Sequence, residues 1–579
     1  MSETLGSRLA EAARGSGAIS FVDARERETK LSHAELFERA RGAASGLRAR
    51  GIAGGDRVAI VAGTGPEFFD GFFGASLAGA VPVPLYPPVR LGRLDEYHAR
   101  TAAMLRAARV RLVLADSRTQ RVLGRTIEAA RPELGCAPLA ELRALPTALP
   151  PQNPDALGFI QFSSGTTQAP KPVALSHRQI LANVHAIGGA ILGAYPESSA
   201  LRHVAASWLP LYHDMGLVGG VLTSLFHGRD LVLIPPELFI ARPALWLRAI
   251  SRHRATISPA PNFAYALCAE RVREDELAGV DLSSWLVAMN GAEPVTPRVL
   301  ERFVERFAAY GLRESALTPV YGLAEATLAV TFSRLGARFA VNRFCERSLL
   351  DERRAIADER GLPIVSLGPA LPGFAVEIRD ESGAALPEAA LGRVHVAGPS
   401  LMSGYDGLPE ETARALRDGW LDTGDVGFLW RGELHLYGRG KDLIVVRGRN
   451  HAPQEIEHAL ADVAGVRTGC CAAVGALADD GSGEELWVFV ERAHGASEPD
   501  EAIAANVRRR TLERCGLAAA RAIVLAPGTL PRTSSGKIRR GETLRLYRAG
   551  ALLPPAPVSL PRLALEMARS LRAFARARR

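Results

Sequence analysis

Short β-like runs alternate with alanine-rich segments of helical period in the chain up to about residue 368. Residues 57–62 and 110–115 are runs of the first kind, and residues 33–49 form a segment of the second kind. The alternation predicts βαβ units and largely parallel sheets, because two parallel neighbouring strands need a crossover connection that is usually a helix. We therefore expect an α/β fold.

The pattern changes after residue 368. Residues 374–380, 392–396 and 433–437 have the character of short strands and are separated by Gly, Pro and Asp turns. Several short strands with such turns between them predict a compact β-rich subdomain.

Another mixed pattern begins after residue 440. Residues 443–447 and 485–491 are strand-like, whereas residues 454–461 and 501–514 have a helical period. These segments predict a separate α+β unit at the end of the chain.

The length and composition of the chain indicate a folded protein of more than one domain. A chain of 579 residues exceeds what a single hydrophobic core supports. Its 47% hydrophobic and 23% charged residues are typical of folded soluble proteins rather than disordered or membrane-embedded ones. We place the boundary at Lys441. A large N-terminal domain of βαβ subdomains plus the β-rich subdomain is expected over residues 1–440, and a small α+β C-terminal domain over residues 441–579.

Two segments depart from these patterns. Residues 336–366 are rich in charge and lack a clear period, so we interpret them as an insertion on the surface of the β/α region. At the end of the chain, a proline-rich linker at residues 554–557 precedes an arginine-rich helical pattern at residues 560–579. This helix either docks on a membrane surface or a partner, or packs on its own domain. Four apolar side chains are predicted to share one of its faces: Leu563, Met567, Leu571 and Phe574.

Charge and targeting features narrow the range of partners. The formal net charge is +8, from 70 Lys and Arg against 62 Asp and Glu. Because no basic stripe is interleaved with aromatic residues, we expect no nucleic-acid partner; a basic surface equally attracts nucleotides or an acidic carrier protein. We also expect a cytoplasmic protein with reduced thiols, because no apolar run reaches the length of a membrane span, the first 17 residues lack a secretory signal, and the six cysteines show no zinc-like pairs.

Residues 161–171 combine hydroxyl groups, a glycine and a lysine in one loop that follows an apolar run. Glycine lets the backbone approach an anion, the hydroxyls are short donors, and the lysine supplies a point charge, so the loop is suited to phosphate. The same composition is also typical of solvated linkers. The loop is not the G-x-x-x-x-G-K-[ST] phosphate loop, because its lysine follows a proline and no second glycine lies beside it.

Two further clusters contain candidate catalytic groups. Residues 208–216 join an aromatic and apolar run to His213 and Asp214 at a predicted strand-to-helix junction. His213 is either a general base or part of a pocket wall, and no Ser or Cys nucleophile with its own orienting motif is visible near it. Residues 321–327 place Glu325 in a small apolar turn, where it either interacts with a helix N-terminus or binds Mg²⁺.

Two polar turns complete the set of clusters. Residues 418–425 end in Asp425, which follows a glycine in a turn that can present a carboxylate to ribose hydroxyls, although turn-forming Asp is common. Residues 530–540 carry Lys537 on a Ser-Gly turn near the C-terminus, where a surface lysine without a special role is the alternative.

Taken together and in this order, the five clusters resemble those of the acyl- and aryl-adenylating enzymes, the adenylate-forming superfamily that also contains firefly luciferase. The resemblance covers residues 20–550. Within the superfamily the chain is most similar to the fatty acyl-AMP ligases, through residues 321–327, residues 447–457 and the insertion at residues 336–366.

The resemblance implies a binding role for each cluster. The loop would hold the β and γ phosphates of ATP, Glu325 would bind Mg²⁺, Asp425 and Arg439 would contact the ribose, and Tyr321 would lie against adenine. The implied ATP-binding residues are Ser163, Ser164, Gly165, Thr166, Thr167, Lys171, Gly291, Ala292, Tyr321, Gly322, Asp425 and Arg439. The implied acyl-binding residues are Trp208, His213, Asp214 and Met215.

The resemblance also implies how the reaction is catalysed, with ATP and Mg²⁺ as cofactors. Lys537 would bridge the substrate carboxylate and the α phosphate, because a buried ammonium and Mg²⁺ together offset the repulsion between two anions. Glu325 and His213 are the other candidate catalytic residues. Lys441 occupies the family's hinge position, about which a mobile C-terminal domain rotates after adenylation.

Several alternatives stay open at the level of sequence. The insertion favours a fatty acyl-AMP ligase that passes its acyl group to the phosphopantetheine thiol of an acyl carrier protein, since in that subfamily it restrains domain movement and disfavours coenzyme A. An acyl- or aryl-CoA ligase shares the first half-reaction. Gln168 and Pro172 depart from the usual phosphate loop, which leaves a degenerate adenylate-binding module as a third interpretation. Amino-acid activation is disfavoured because no acidic residue for an α-amino group is recognisable.

Overall fold

A computed structural model describes most of the chain. The described residues are 3–88, 91–163, 170–446, 449–477, 484–533, 536–556 and 558–577, without the side chains of residues 449 and 450. The predicted phosphate-loop residues Ser164, Gly165, Thr166 and Thr167, together with Gln168, therefore lie outside the described residues.

Strands and helices alternate over the first part of the chain, and strands predominate from β13 to β24. The strands are β1 Ala18–Val22, β2 Glu28–Ser32, β3 Arg57–Val61, β4 Val81–Leu85, β5 Leu112–Ala115, β6 Cys136–Pro138, β7 Leu157–Phe162, β8 Pro172–Ser176, β9 Val204–Ser207, β10 Asp230–Leu233, β11 Ile257–Ala260, β12 Val287–Asn290, β13 Leu317–Gly322, β14 Ala329–Phe332, β15 Val341–Phe344, β16 Leu362–Val365, β17 Ala375–Arg379, β18 Gly392–Ala397, β19 Gly404–Tyr405, β20 Leu416–Arg417, β21 Trp420–Trp430, β22 Glu433–Arg439, β23 Ile444–Val446, β24 Arg449–His451, β25 Val466–Leu477, β26 Glu484–Arg492 and β27 Ala519–Leu525. The helices are α1 Leu5–Ala12, α2 His33–Ala49, α3 Pro66–Leu77, α4 Leu94–Ala107, α5 Ser117–Ala130, α6 His177–Ala194, α7 Thr223–Phe226, α8 Pro236–Ala241, α9 Ala244–Arg252, α10 Asn262–Arg271, α11 Pro297–Phe307, α12 Glu346–Asp351, α13 Pro409–Ala415, α14 Pro453–Ala459, α15 Asp500–Cys515, α16 Arg540–Arg548 and α17 Leu560–Ala577.

Two sheets with parallel interiors form the frame of the N-terminal region. The larger has the strand order β14-β13-β12-β11-β9-β10-β1-β2, in which the terminal pairs β13–β14 and β1–β2 are antiparallel and the inner pairs are parallel. The other, β4-β3-β5-β6, is parallel throughout. These sheets confirm the α/β prediction. The predicted helix at residues 33–49 is α2, which begins at Ser32 because Ser32 and Glu35 form a reciprocal capping box.

The β-rich subdomain and the C-terminal region also follow the predicted pattern. Strands β17, β18, β21 and β20 form an antiparallel sheet, and β22 pairs with β21. In the C-terminal region, the sheet β25-β26-β27 buries Val488, Ile456 and Ile503 in an apolar cluster separate from those of the parallel sheets. A smaller α+β unit therefore follows the β-rich subdomain.

The insertion at residues 336–366 is more ordered than its sequence suggests. Strands β15 and β16 form an antiparallel hairpin, with α12 between them. Phe344 is fully buried and its ring lies 4.9 Å from that of Phe428 in the β-rich subdomain. The same apolar cluster includes Ala452 of the C-terminal region. Leu349 of α12 and Ile364 of β16 are buried in the same cluster as Phe344, so irregularly spaced apolar residues anchor the segment and the sequence shows no period.

The C-terminal helix α17 packs on α5 of the N-terminal region instead of on residues 441–550. Ser570 Oγ accepts a hydrogen bond of 2.8 Å from the backbone N–H of Gly124. Buried Glu566 lies 2.9 Å from Arg125 and 3.3 Å from Nε2 of His98. Three residues of the predicted apolar face, Leu563, Met567 and Phe574, are half-buried, and Phe574 packs against the apolar cluster of the sheet β4-β3-β5-β6. The fourth, Leu571, is 68% exposed, and the buried positions of the helix are Glu566, Ser570 and Ala573. The ion pairs of Glu566 and the close contact of Gly124 with Ser570 orient this helix. Such interactions cannot be predicted from the spacing of apolar residues.

We expect Gly124→Ala to release α17 from this position. A Cβ atom at residue 124 would overlap the carbonyl group of Ser570, and backbone cannot move aside as a flexible side chain does. Limited proteolysis of residues 549–559 should then be several times faster than in the unaltered protein, because local opening governs cleavage. Gly189→Ala in α6 is the matched control, since nothing lies within 4 Å of the added Cβ. Equal cleavage rates for the two variants would contradict this packing.

No helix within the described ranges combines the length and the apolar character needed to cross a membrane.

Candidate active site

A large cleft lies between the N-terminal region and the C-terminal region. Its volume is about 2280 Å³. Most of the residues predicted for the site line it: Ser163, Lys171, Trp208, His213, Asp214, Met215, Ala292, Tyr321, Gly322, Glu325, Asp425, Arg439, Lys441 and Lys537. Gly291 does not line it, because this glycine packs against Val320, whose side chain would be 2.7 Å from a Cβ atom there.

The parallel sheet brings several of these residues to one edge. Strands β9, β12 and β13 run parallel in the same sheet, so their carboxyl ends meet at one side. Trp208 follows β9, Ala292 follows β12, and Tyr321 lies at the end of β13. Ligand sites of open α/β sheets occur at this edge.

Tyr321, Asp425 and Arg439 form a connected polar group. The Tyr321 hydroxyl donates a hydrogen bond of 2.7 Å to Oδ2 of Asp425. Asp425 on β21 lies opposite Arg439 on β22, whose Nε is 3.8 Å from Oδ1. Burial raises the pKa of Asp425, and the charge of Arg439 opposes that shift. The carboxylate is held in place and can accept hydrogen bonds from neighbouring hydroxyl groups.

Glu325 and Lys171 lie on either side of Tyr405. Glu325 occupies a short 3₁₀ turn, Ala324–Ala326, and its Oε1 accepts a hydrogen bond of 2.9 Å from the Tyr405 hydroxyl. The Lys171 ammonium lies 4.7 Å from the centre of the Tyr405 ring and 2.6 Å from Oε2 of Glu411. Sequence reasoning missed Tyr405 and Glu411, because only the pairing of β19 with β8 brings them to the loop.

The carboxylate of Glu325 fits a magnesium ion that is shared with phosphate groups. The described part of the chain contains no cluster of three or more His, Cys, Asp or Glu residues that could hold a metal by itself. Mg²⁺ is commonly bound through one or two carboxylates together with substrate phosphates and water. Glu325 could therefore hold the ion only together with the nucleotide.

Lys537 is half-buried and lies on a constrained turn. Its backbone N–H donates to Oγ1 of Thr533 at 3.1 Å, and its carbonyl accepts from the N–H of Thr533 at 2.8 Å. Burial lowers the pKa of its ammonium, and the charges of Asp214 and Glu293 oppose that shift. The turn thus directs Lys537 into the cleft rather than to the outer surface of the protein.

Aromatic side chains line the part of the cleft predicted to bind the acyl group. The ring of Trp208 stacks on Phe239 with 3.9 Å between centroids and meets the edge of Phe263 at 5.8 Å. His213 Nδ1 lies 3.2 Å from Oδ1 of Asp214, and within the described ranges none of its hydrogen bonds involves a serine or cysteine. The geometry therefore favours a pocket wall over a base that activates a protein nucleophile.

Glu293 is a second residue that sequence reasoning missed. It lines the cleft, and its carboxyl group accepts a hydrogen bond from the backbone N–H of Phe263 at the start of α10. Burial raises its pKa, and the hydrogen bond from Phe263 opposes that shift.

The scarcity of lysine is a sequence signal that could have strengthened the prediction. Only four of the 579 residues are lysine, although Lys and Arg together number 70. Three of these four line the cleft: Lys171, Lys441 and Lys537. The ammonium of lysine is a compact point charge on a flexible stem, unlike the planar guanidinium of arginine, so lysines that gather in a cleft of an arginine-rich chain are candidates for a specific role.

The comparison with known families assigns the chain to a family. Residues 9–406 match the AMP-binding enzyme family. The chain belongs to this family. It is an adenylate-forming enzyme close to the fatty acyl-AMP ligases, because both its relatives and the solved structures that resemble it include such ligases.

Two relatives and one solved structure illustrate this similarity. A putative acyl-CoA synthetase of Caulobacter vibrioides is 37% identical over 94% of this chain and 96% of its own length. A medium-chain-fatty-acid–[acyl-carrier-protein] ligase of Moorena producens is 33% identical over 92% of this chain and 93% of its own. A solved structure from work on the fatty acyl-adenylate ligases of E. coli and L. pneumophila has a TM-score of 0.88 and 34% identity, covering 94% of this chain and 98% of the other.

The cleft of this AMP-binding enzyme thus contains the hydrogen-bonded carboxylate of Asp425, three lysines and an aromatic pocket. The cleft lies where the carboxyl ends of parallel strands face the C-terminal region. This arrangement can bind a nucleotide beside a carboxylic acid, which is what fatty acid ligases of the adenylate-forming type require.

Proposed function

We propose that this AMP-binding enzyme converts a fatty acid and ATP into acyl-AMP and pyrophosphate, with Mg²⁺, and then transfers the acyl group to the phosphopantetheine thiol of an acyl carrier protein. The observation that carries the proposal is the presence of Lys537, Asp425 and the Lys171–Tyr405–Glu325 group in one cleft with the aromatic pocket.

The polar residues of the cleft bind different parts of ATP during adenylation. Asp425 and Arg439 hold the ribose, with Tyr321 beside the adenine. Lys171 neutralises phosphate charge, and Mg²⁺, held through Glu325, offsets the charge of the leaving pyrophosphate.

Lys537 acts at the reacting atoms. Its ammonium lies between the substrate carboxylate and the α phosphate, so that the carboxylate oxygen attacks phosphorus without full repulsion between the two anions. The fatty chain lies against Trp208 and Phe263, while His213 and Asp214 form the pocket wall near the reacting carboxylate. Residues 441–550 reorient about Lys441 for the second step, while the N-terminal domain of residues 1–440 and α17, which packs on α5, form the fixed part.

The acceptor is proposed from the insertion and from one relative. The hairpin β15–β16 packs in a cluster that includes both Phe428 and Ala452, so it contacts the N-terminal and the C-terminal regions together. Such a contact restrains movement of the C-terminal region. The Moorena relative is named as an acyl-carrier-protein ligase, which supports the same acceptor. The name of the Caulobacter relative favours coenzyme A instead, so an acyl-CoA ligase is the second candidate.

The test separates the two half-reactions. Pyrophosphate release is measured first over a series of fatty and aromatic acids, and we expect release with fatty acids of a preferred length. The acyl-loaded enzyme then receives purified carrier protein with its phosphopantetheine, the same carrier without it, or free coenzyme A. We expect acylation of the first alone. Efficient formation of acyl-CoA would favour the second candidate, and no pyrophosphate with any acid would refute adenylation.

A further inference from the structure

One tyrosine links the two charged groups predicted to bind the phosphate end of ATP. The Tyr405 hydroxyl donates to Oε1 of Glu325 at 2.9 Å, and the face of its ring lies 4.7 Å from the Lys171 ammonium. The tyrosine is 8% exposed, so neither contact is the chance meeting of mobile surface groups. Its hydrogen bond with a carboxylate is charge-assisted, and its ring face attracts a cation.

The backbone around Tyr405 is attached to both of these segments. Tyr405 pairs with Val173 in the β19–β8 ladder, and the N–H of Asp406 donates to the carbonyl of Pro172 at 2.8 Å. The N–H of Met402 donates to the carbonyl of Glu325 at 2.8 Å. Residues 402–406 therefore fix the end of the phosphate loop and the Glu325 turn relative to each other.

Glu411 occupies the remaining side of the Lys171 ammonium. Its Oε2 lies 2.6 Å from Nζ of Lys171, and its other oxygen accepts a hydrogen bond of 2.8 Å from Arg414. The side chains of Lys171 and Glu411 are 25% and 33% exposed, so a phosphate oxygen can replace the carboxylate without a rearrangement of the core. Exchange of one anion for another preserves the charge balance of the ammonium.

We propose that Tyr405 is a positioning residue that sets the separation of Lys171 from Glu325, and that Glu411 holds Lys171 until the ATP phosphates displace it. This inference rests on the proposed function, because it assigns phosphate and Mg²⁺ to these groups. The hydroxyl of Tyr405 positions Glu325, the proposed magnesium ligand, and its ring positions Lys171, the proposed phosphate ligand. Removal of the hydroxyl and removal of the ring should therefore have different effects.

Two substitutions of Tyr405 separate these effects. Tyr405→Phe removes the hydroxyl and keeps the ring, so the Mg²⁺ concentration for half-maximal pyrophosphate release should rise about 10-fold while KM for ATP at saturating Mg²⁺ changes little. Tyr405→Leu removes both features, so KM for ATP should rise as well. Glu411→Gln should lower the dissociation constant of ATP, because the ammonium loses its competing carboxylate.

Direct measurement of ATP binding, with and without Mg²⁺, distinguishes failure of this inference from failure of the proposed function, because binding needs no turnover. Tyr265→Phe is the matched control: it also removes a buried tyrosine hydroxyl, which donates to the carbonyl of Met289, and should lower the melting temperature without changing the Mg²⁺ dependence. An unchanged Mg²⁺ dependence in Tyr405→Phe would overturn the role of the hydroxyl. In Tyr405→Phe, the half-maximal Mg²⁺ concentration and KM for ATP could instead both rise in proportion to the loss of stability. That result would show a merely structural role for Tyr405 and would overturn the proposal as well.

Discussion

Replacing Lys537 by alanine is expected to lower the rate of acyl-adenylate formation by about 10²–10³-fold, the usual cost of removing one oriented charge from a transition state. The ammonium lies in the cleft with Asp214 and Glu293 as its acidic surroundings. Without it the substrate carboxylate approaches the α phosphate with one fewer cation to offset the repulsion. The rate is measured as pyrophosphate release at saturating ATP and fatty acid.

Two companion variants show whether the effect is specific. Lys537→Arg keeps a positive charge but replaces a compact ammonium with a planar guanidinium, so it should recover only a small part of the rate. Lys30 does not line the cleft and is exposed on β2. The Lys30→Ala variant should therefore release pyrophosphate at the rate of the unaltered protein. Thermal unfolding of each variant should be close to that of the unaltered protein. Unchanged adenylation in a folded Lys537→Ala protein would refute the role given to this residue.

Replacing Arg540 by methionine is expected to lower the free energy of unfolding of the C-terminal region by about 3–5 kcal/mol, as for other buried pairs that lose one partner. Arg540 Nε and one terminal nitrogen lie 2.6 and 2.7 Å from the two oxygens of Glu457, and the other terminal nitrogen lies 3.1 Å from Oδ2 of Asp442. The side chain is 15% exposed. Without the guanidinium, two carboxylates are left in a partly dry site with no cation between them.

The same substitution should also lower adenylation, because Arg540 follows the turn that carries Lys537 and binds the residue next to Lys441. Denaturant unfolding followed by circular dichroism measures the stability, and pyrophosphate release measures the rate. Arg545→Met on the same helix is the control, since its pair with Glu542 is exposed and should contribute less than about 1 kcal/mol. Adding Glu457→Gln to Arg540→Met should restore part of the stability. Equal stabilities for the Arg540 and Arg545 variants would contradict this account.

Local sequence patterns were enough to predict the fold class and much of the secondary structure. Helix α2 has the predicted bounds because its alanine-rich composition and the Ser32–Glu35 capping box both act within a few residues. The strands of the β-rich subdomain were found because turns of Gly, Pro and Asp delimit them. In each case the determining interactions are short-range, so they are visible in a window of sequence.

The candidate site was predicted in outline, and the missed residues share one property. Tyr405 and Glu411 lie more than 230 residues from Lys171 in sequence and reach it only through the pairing of β19 with β8. Glu293 lies beside two predicted residues, but its role depends on the buried N–H of Phe263. Nothing in the local composition distinguishes such residues from ordinary surface acids and core aromatics.

The sequence by itself therefore determined the α/β class, the β-rich and C-terminal units, and the order of the clusters by which the chain resembles adenylate-forming enzymes. Only the tertiary structure decided that α17 returns to α5, that the insertion forms a packed hairpin, and that Tyr405 lies between Lys171 and Glu325. The physical reason is the range of the interactions. Helical period and turn chemistry act between near neighbours, whereas strand pairing, ion pairs and close backbone contacts join residues whose separation along the chain carries no information about their distance in space.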